Sequence, residues 1–340
     1  MENKQVIRTS DRGRFRRCRQ LWDFESPMRQ NYAYQGSIKP LDFGIAFHEA
    51  LDEYYKPREE AYTHEVRWGL AISKFGEICD EQMARTLKAT MGIDETSVRE
   101  DFAERKELGI GMLNHYFPWA EEHDDFEVVE SEISFEVEIP EMDVMYQGRI
   151  DALVKRDDGY WLLDHKTAAQ FGDTGWLDLD TQISAYCWAM TKRLGIKVNG
   201  MIYSEIKKSV PKEPQVNKNG TLSQNKQQRT SLALYKKKIQ ELGLNESDYS
   251  EYLEYLAAND KWFRRTYVHR SDQELENVEE IIRIESREMI NPDIGIYPNP
   301  SRFNCSGCAF KLPCVAKQDG SDVNWILEES GNYAKRPVDK

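Results

Sequence analysis

The sequence has no run near the 18 or so apolar residues that a membrane span requires, and its mean hydropathy is -0.72. A spanning protein is not expected. It has no G-x-x-x-x-G-K-[ST] phosphate loop and no repeat of solenoid period, so ATP-driven and repeat architectures lose their main sequence support. The start, Met1-Glu2-Asn3-Lys4, runs into an arginine-rich stretch instead of a signal-peptide apolar segment, which points to a cytoplasmic protein. Cysteine is scarce, with 6 in 340 residues. That is too few for a disulfide framework, so a local cluster points to a metal or to catalysis. Net positive charge is also lacking, because 46 Lys and Arg face 59 Asp and Glu for a total of -13.

Aromatic residues are abundant by contrast, with 8 Trp, 17 Tyr and 13 Phe, and they supply the apolar bodies that a disordered chain lacks. The length suits roughly two domains, or one core with large additions. Basic charge is concentrated locally: residues 4–19 carry seven Lys or Arg against Asp11 alone, and 207–238 carry nine against Glu213 alone. Such patches attract polyanions whatever the net charge, although each also describes a solvated face.

Apolar spacing predicts a helix over 42–55 and largely helical structure over 65–117, broken by Gly92 and Gly109. The pattern changes at Phe126. Residues 126–139, 144–155 and 160–166 are rich in β-branched and aromatic residues, and Asp157-Asp158-Gly159 turns between the last two, which predicts a β-meander. A helix over about 178–194 ends at Gly195, and 198–206 reads as another strand. Residues 207–230 are rich in Lys, Gln, Asn and Pro and read as a basic flexible insertion. Helical residues 231–259, a strand near 261–270 and a charged helix over 271–289 follow, and from Lys317 a polar tail has Trp325, Ile326 and Leu327 as its docking segment.

The segment richest in chemistry is Gly148-Arg149-Ile150-Asp151, followed across the turn by Asp164-His165-Lys166. Alternation along a strand puts Asp164 and Lys166 on one face and Leu163 and His165 on the other. Asp151 lies near the hairpin's other strand, so the two acids converge on one divalent cation, with hard oxygen ligands suited to Mg²⁺ or Mn²⁺. Such a cation activates water and offsets charge on a phosphodiester, while Lys166 orients or deprotonates the attacking water. The same residues also describe a solvated hairpin. Gln182 and Tyr186 project from one face of the following helix, and Gly44 and His48 stand at the same i, i+4 spacing on the early one.

The succession G-x-x-x-H, G-R-I-D, D-H-K and Q-x-x-x-Y resembles the PD-(D/E)xK nuclease superfamily, in its RecB-like branch close to the CRISPR adaptation nucleases, over roughly residues 10–315. The resemblance implies an α/β fold with a restriction-endonuclease-like core, a central mixed sheet flanked by helices. It implies an N-terminal basic and helical region (1–125), a nuclease core (126–206), the insertion (207–230), a helical and strand region with a cysteine segment (231–316) and the tail (317–340). By the same resemblance His48, Asp151, Asp164 and the backbone carbonyl of His165 are metal ligands, Lys166 is the catalytic lysine, and Gln182 and Tyr186 support the site or the DNA. Glu130 lies near an acidic position of many relatives.

Cys305-x2-Cys308-x5-Cys314 supplies three thiolates, one short of a closed four-thiolate site. Residues 10–24 resemble the family segment whose early cysteine joins three late ones around a [4Fe–4S] cluster, which makes Cys18 the fourth ligand. Zinc satisfies the same count. Cys79 and Cys187 sit among apolar neighbours and read as core residues. The implied activity is a metal-dependent DNA exonuclease on single-stranded DNA or DNA ends in recombination, repair or end processing, in a bacterial cell or a phage-infected host. Recombination or replication proteins are the implied partners. Lys and Arg of both basic segments would contact phosphates and Trp22 would stack on bases, giving salt-sensitive binding. The alternatives are a non-catalytic iron–sulfur DNA-binding subunit of a recombination complex and a structural zinc protein.

Overall fold

A computed structural model describes residues 4–36, 38–58, 62–89 and 94–337. The chain begins with strand β1 (Gln5–Arg8), helices α1 (Thr9–Arg17) and α2 (Arg19–Glu25) and a short β2 (Tyr32–Tyr34). Three longer helices follow, α3 (Lys39–Tyr55), α4 (His64–Ala89) and α5 (Glu95–His123). Next come strands β3 (Glu127–Glu138), β4 (Val144–Arg156) and β5 (Gly159–Ala168), helix α6 (Thr181–Leu194) and strand β6 (Val198–Lys207). The remainder comprises α7 (Leu232–Glu241), α8 (Ser250–Ala258), β7 (Phe263–His269), α9 (Asp272–Ile290), α10 (Arg302–Cys305), α11 (Lys311–Asp319) and β8 (Tyr333–Lys335). Among the described residues no helix is long and apolar enough to cross a membrane.

A mixed six-stranded sheet organises the molecule. Long β4 pairs antiparallel with β3 along most of its length. On its other edge, Val144–Gln147 carries β1 in parallel and Ala152–Arg156 carries β5 antiparallel. The residues between, 148–151, are therefore unpaired on that edge, and β5 leaves β4 beyond Leu163 to continue alongside β6. A fork opens in the sheet there. Helices α3, α4 and α5 cover one face, burying Phe47, Phe75, Leu113 and Phe117 against Val154, Trp161 and Leu163. Helices α6 and α9 cover the other, packing Ala185, Trp188, Val278 and Ile282 against Leu153, Leu162 and Met201. A parallel β5–β6 pair needs a crossover, and α6 supplies it.

The helices, the meander and the helix and strand that follow it are found as expected, with differences that have physical causes. Gly109 lies inside α5 because a Cβ there would stand 2.0 Å from the Phe75 ring, so it permits α4 and α5 to approach. Gly92 lies outside the described residues. Residues 207–230 are not a free loop: Lys212 N–H donates to Arg229 O, Val216 bridges to Leu222, and Gln228 Nε2 donates to Ser223 O and Tyr252 Oη. Leu222 packs with Tyr235, Tyr249, Tyr252 and Leu256 in a small tyrosine-rich core with α7 and α8. The C-terminal tail is docked more extensively than its polarity suggests. Ile326, Leu327 and Tyr333 are buried against Leu21, Phe24 and Phe310, and β8 pairs with β2.

The basic arm is largely consumed by ion pairing. Arg12 and Arg16 both reach Glu285 of α9, Arg19 reaches Glu288, Arg14 reaches Glu25 and Lys4 reaches Glu138. In 207–238, Lys207, Lys208, Lys212, Lys218 and Lys226 have no ion pair among the described residues.

Candidate active site

The fork between β4 and β5 gathers the polar motif residues. Asp151 is the last residue of the unpaired stretch of β4, and its Oδ2 accepts the His165 backbone N–H at 2.7 Å, so a side chain replaces the missing ladder bond. On its other side His48 Nδ1 lies 3.2 Å from the carboxylate, which joins α3 to the sheet. Lys166 Nζ lies 2.9 and 2.8 Å from the two oxygens of Asp164. His165 points to the opposite face, where its ring stacks on Tyr55 at 5.2 Å and meets Tyr116 edge-on. Gly148 is required by close approach, because a Cβ would fall 2.5 Å from the Phe135 ring and 2.6 Å from Thr9 Oγ1.

The electrostatics follow from burial and pairing. Burial opposes charge on Lys166, but Asp164 and Asp151 outweigh it and hold the ammonium protonated well above its ordinary range. Burial likewise disfavours the Asp151 carboxylate, yet His48 stabilises it and its pKa falls well below normal. Asp164 moves upward, chiefly through burial. His165 is pushed down to about 3 by burial, and its Nδ1 has no hydrogen-bond partner among the described residues, so the ring is neutral.

A site of two carboxylates and an imidazole has the donor chemistry of a hard divalent cation. Among the described residues, no group of three or more His, Cys, Asp or Glu side chains is arranged to hold a metal ion. Here Lys166 supplies positive charge and His48 contacts Asp151, and His48, Asp52, Glu132 and Asp151 line a cavity of about 10 Å³. The donor set fits a cation by its chemistry, while in this arrangement its carboxylates are engaged by Lys166, His48 and the His165 N–H.

A family model of the PD-(D/E)XK nuclease superfamily matches residues 13–315. The chain belongs to this superfamily. No curated protein matches the chain. Among solved structures, one titled "Crystal structure of SSO0001" is similar at 12% identity with a TM-score of 0.28, over 83% of this chain and 98% of that one.

On this superfamily core the Q-x-x-x-Y pair borders the fork. Gln182 Nε2 donates to Tyr186 Oη at 3.2 Å, and the charges of Asp164 and Lys166 both reach the Tyr186 hydroxyl. Gly44, one turn before His48, has open space where a Cβ would stand. Glu130 does not join the site; it faces Arg193 at 3.7 Å. The acid beside Asp151 is Glu132, flanked by Ser131 and Ile133, which pair with Ala152 and Ile150. A register shift between Val128 and Glu130 and a left-handed φ of 47° at Glu132 turn it inward. Burial pushes its carboxyl up to about 7 against the opposing Arg149, with Asp151, Asp52 and Glu49 adding. Trp22 is wholly buried, packed edge-on to Phe15, and cannot stack on a base.

The cysteines divide as their neighbours suggest. Cys79 and Cys187 are buried in the core. Cys18, Cys305, Cys308 and Cys314 are free, partly buried, and line one cavity of about 400 Å³ with Leu21, Phe24 and Phe310. Burial raises the Cys314 pKa, and the nearby Cys18, Cys308 and Cys305 raise it further. The Asn299 N–H donates to Cys18 Sγ at 3.4 Å. The early cysteine and the three late ones thus face one cavity, although among the described residues no three of them are arranged to hold a metal ion.

Proposed function

We propose that this protein is a Mg²⁺- or Mn²⁺-dependent deoxyribonuclease that acts as an exonuclease on single-stranded DNA in recombination, repair or end processing. Support comes chiefly from one arrangement: the Lys166–Asp164 pair stands beside the His48–Asp151 pair in an open fork of the sheet. His48, Asp151, Asp164 and the His165 carbonyl would hold the cation. When bound, the cation would supply an acidified water and positive charge for the phosphodiester.

The remaining work falls to the chain's own groups. Lys166 keeps a proton on Nζ and is held in place by Asp164, where it orients the attacking water and donates to a phosphate oxygen. The His165 N–H fixes Asp151 by one carboxylate oxygen. Gln182 and Tyr186 close the flank of the site through their mutual hydrogen bond. The unpaired lysines of 207–226 would contact phosphates, making affinity fall with salt. Cys18, Cys305, Cys308 and Cys314 would bind a [4Fe–4S] cluster with a structural role, and iron and zinc analysis of anaerobically purified protein distinguishes that from a zinc site.

The test follows end-labelled single-stranded DNA with Mg²⁺, Mn²⁺ or EDTA, using wild type and Lys166→Ala. Expected is metal-dependent degradation, slowed at least about 100-fold in the variant, as for loss of one donor aimed at charge developing in the transition state. Folded protein that binds DNA and leaves it whole with either metal would contradict the proposal.

A further inference from the structure

Between β5 and α6 the chain makes a 3₁₀ turn, Gly175–Leu179, that exposes two large apolar side chains. Trp176 is 52% exposed and Leu179 is 85% exposed, although Leu177 between them is buried. Placing apolar surface in water forgoes the gain from burial, and exposed apolar patches beside a functional cleft mark contact surfaces. The position is specific. Trp176 packs edge-on against Tyr203, with ring centroids 6.3 Å apart. Tyr203 is the register partner of Asp164 on the neighbouring strand, and the charges of both Lys166 and Asp164 reach its hydroxyl.

The turn is also firmly held from beneath. The buried Arg270 donates through Nη2 to Leu177 O at 2.7 Å and Asp180 O at 3.2 Å, and through Nε to Ser184 Oγ at 2.7 Å. Arg264 donates to Gly172 O and to Glu205, the register partner of Lys166, and lies over the Phe171 ring. Asp180 caps α6 by accepting the Gln182 and Ile183 N–H groups. The turn is therefore tied to α6 and to the β6–β7 side of the sheet, and its exposed indole is preorganised.

We propose that Trp176, flanked by Leu179, is the stacking platform for the nucleobase next to the scissile phosphate. This rests on the nuclease reading above and gives it a positioning element. A rigid indole at this place would hold one unpaired base by its π-face, without preference for sequence, and so set the adjacent phosphate against Asp164 and Lys166. A paired, stacked base has no free face to offer, so the platform favours single strands.

The test measures binding of fluorescein-labelled oligo-thymidylate by anisotropy in the Lys166→Ala background, to prevent cutting, with Trp176→Ala and Trp176→Phe added. Melting temperatures establish that the variants fold. Loss of one stacked base is expected to weaken binding at least about fivefold for Trp176→Ala, with Trp176→Phe close to the parent. A single abasic residue scanned along the oligonucleotide should weaken the parent at one position and leave Trp176→Ala unaffected there. In cleavage by the Lys166 enzyme, Trp176→Ala should raise KM more than it lowers kcat. Equal affinities for all three proteins, or an abasic penalty that persists in Trp176→Ala, would overturn the platform alone; a surface for a protein partner would give that result. Failure of the Lys166→Ala parent to bind DNA, together with failure of the Lys166 enzyme to cut it, would overturn the nuclease reading and the platform together.

Discussion

Lys166 and His165 are adjacent in β5 and meet opposite environments. Lys166 faces two carboxylates and is held charged, whereas His165 faces Tyr55 and Tyr116 and is held neutral. The latter has a consequence for stability. The His165 pKa falls to about 3 in the folded chain from its ordinary 6.5, so between those values the unfolded state binds the extra proton. Stability contributed by the neutral ring is complete above pH 6.5 and lost as pH falls below it, by at most about 1.4 kcal/mol per pH unit. His165→Phe keeps a ring against Tyr55 and cannot titrate. Urea unfolding of metal-free protein between pH 4.5 and 7.5 should therefore show a shallower acid loss in His165→Phe than in wild type. Equal slopes would remove His165 as the cause. At this scale the sequence reading was effective where strand alternation decides the matter, as for Asp164, His165 and Lys166. It failed for Glu132, because a register shift and one left-handed residue turn that acid inward where simple alternation favours no particular glutamate. It failed also for Trp22, whose arginine neighbours suggest exposure while their side chains reach away to ion pairs.

Among the elements, β4 has the central position because it is paired by different strands at its two ends and is free between them on one edge. The free stretch is the G-R-I-D motif, and Gly148 within it accommodates Phe135 and Thr9. Gly148→Ala should destabilise the protein by about 1–3 kcal/mol, the usual effect of overpacking a filled site, and should weaken Mn²⁺ binding as Asp151 shifts. Chemical denaturation of the metal-free variant checks the first effect; an unchanged midpoint would show that the Phe135 ring yields without cost. The meander and the crossover helix α6 were legible because each has a local signature, period in the strands and a terminating Gly195 after the helix. Strand β1 was not, since four residues beside an arginine-rich helix show no period and owe their state to pairing with Val144–Gln147. Residues 207–230 misled for a related reason: their order depends on scattered anchors such as Leu222 and Gln228, which composition does not register.

In the whole molecule, the four cysteines lie around one cavity although they come from segments distant in sequence. Cys18 lies at the junction of α1 and α2, the other three lie just before or within α11, and the shared core with Tyr32, Ile326 and Tyr333 continues into the β2–β8 pair. A bound cluster would hold this lobe beside α9, where Arg12, Arg16 and Arg19 already meet Glu285 and Glu288. Removing the metal by chelation, or substituting Cys308→Ala, should make the segments near 18–36 and 298–337 several-fold more sensitive to protease while the α3–α5 and sheet core stays resistant. Identical digestion patterns with and without the metal would contradict a structural role for these thiols. The proposed function turns on one claim, that the fork between β4 and β5 is a divalent-cation site that cuts DNA. The most direct test is a Mn²⁺ titration followed by electron paramagnetic resonance, on wild type and Asp151→Ala, with DNA cleavage measured on the same samples. The account expects saturable binding in wild type, cleavage rising with the same midpoint, and loss of both in the variant; Mn²⁺ binding unchanged in Asp151→Ala, or cleavage that persists in EDTA, would contradict it.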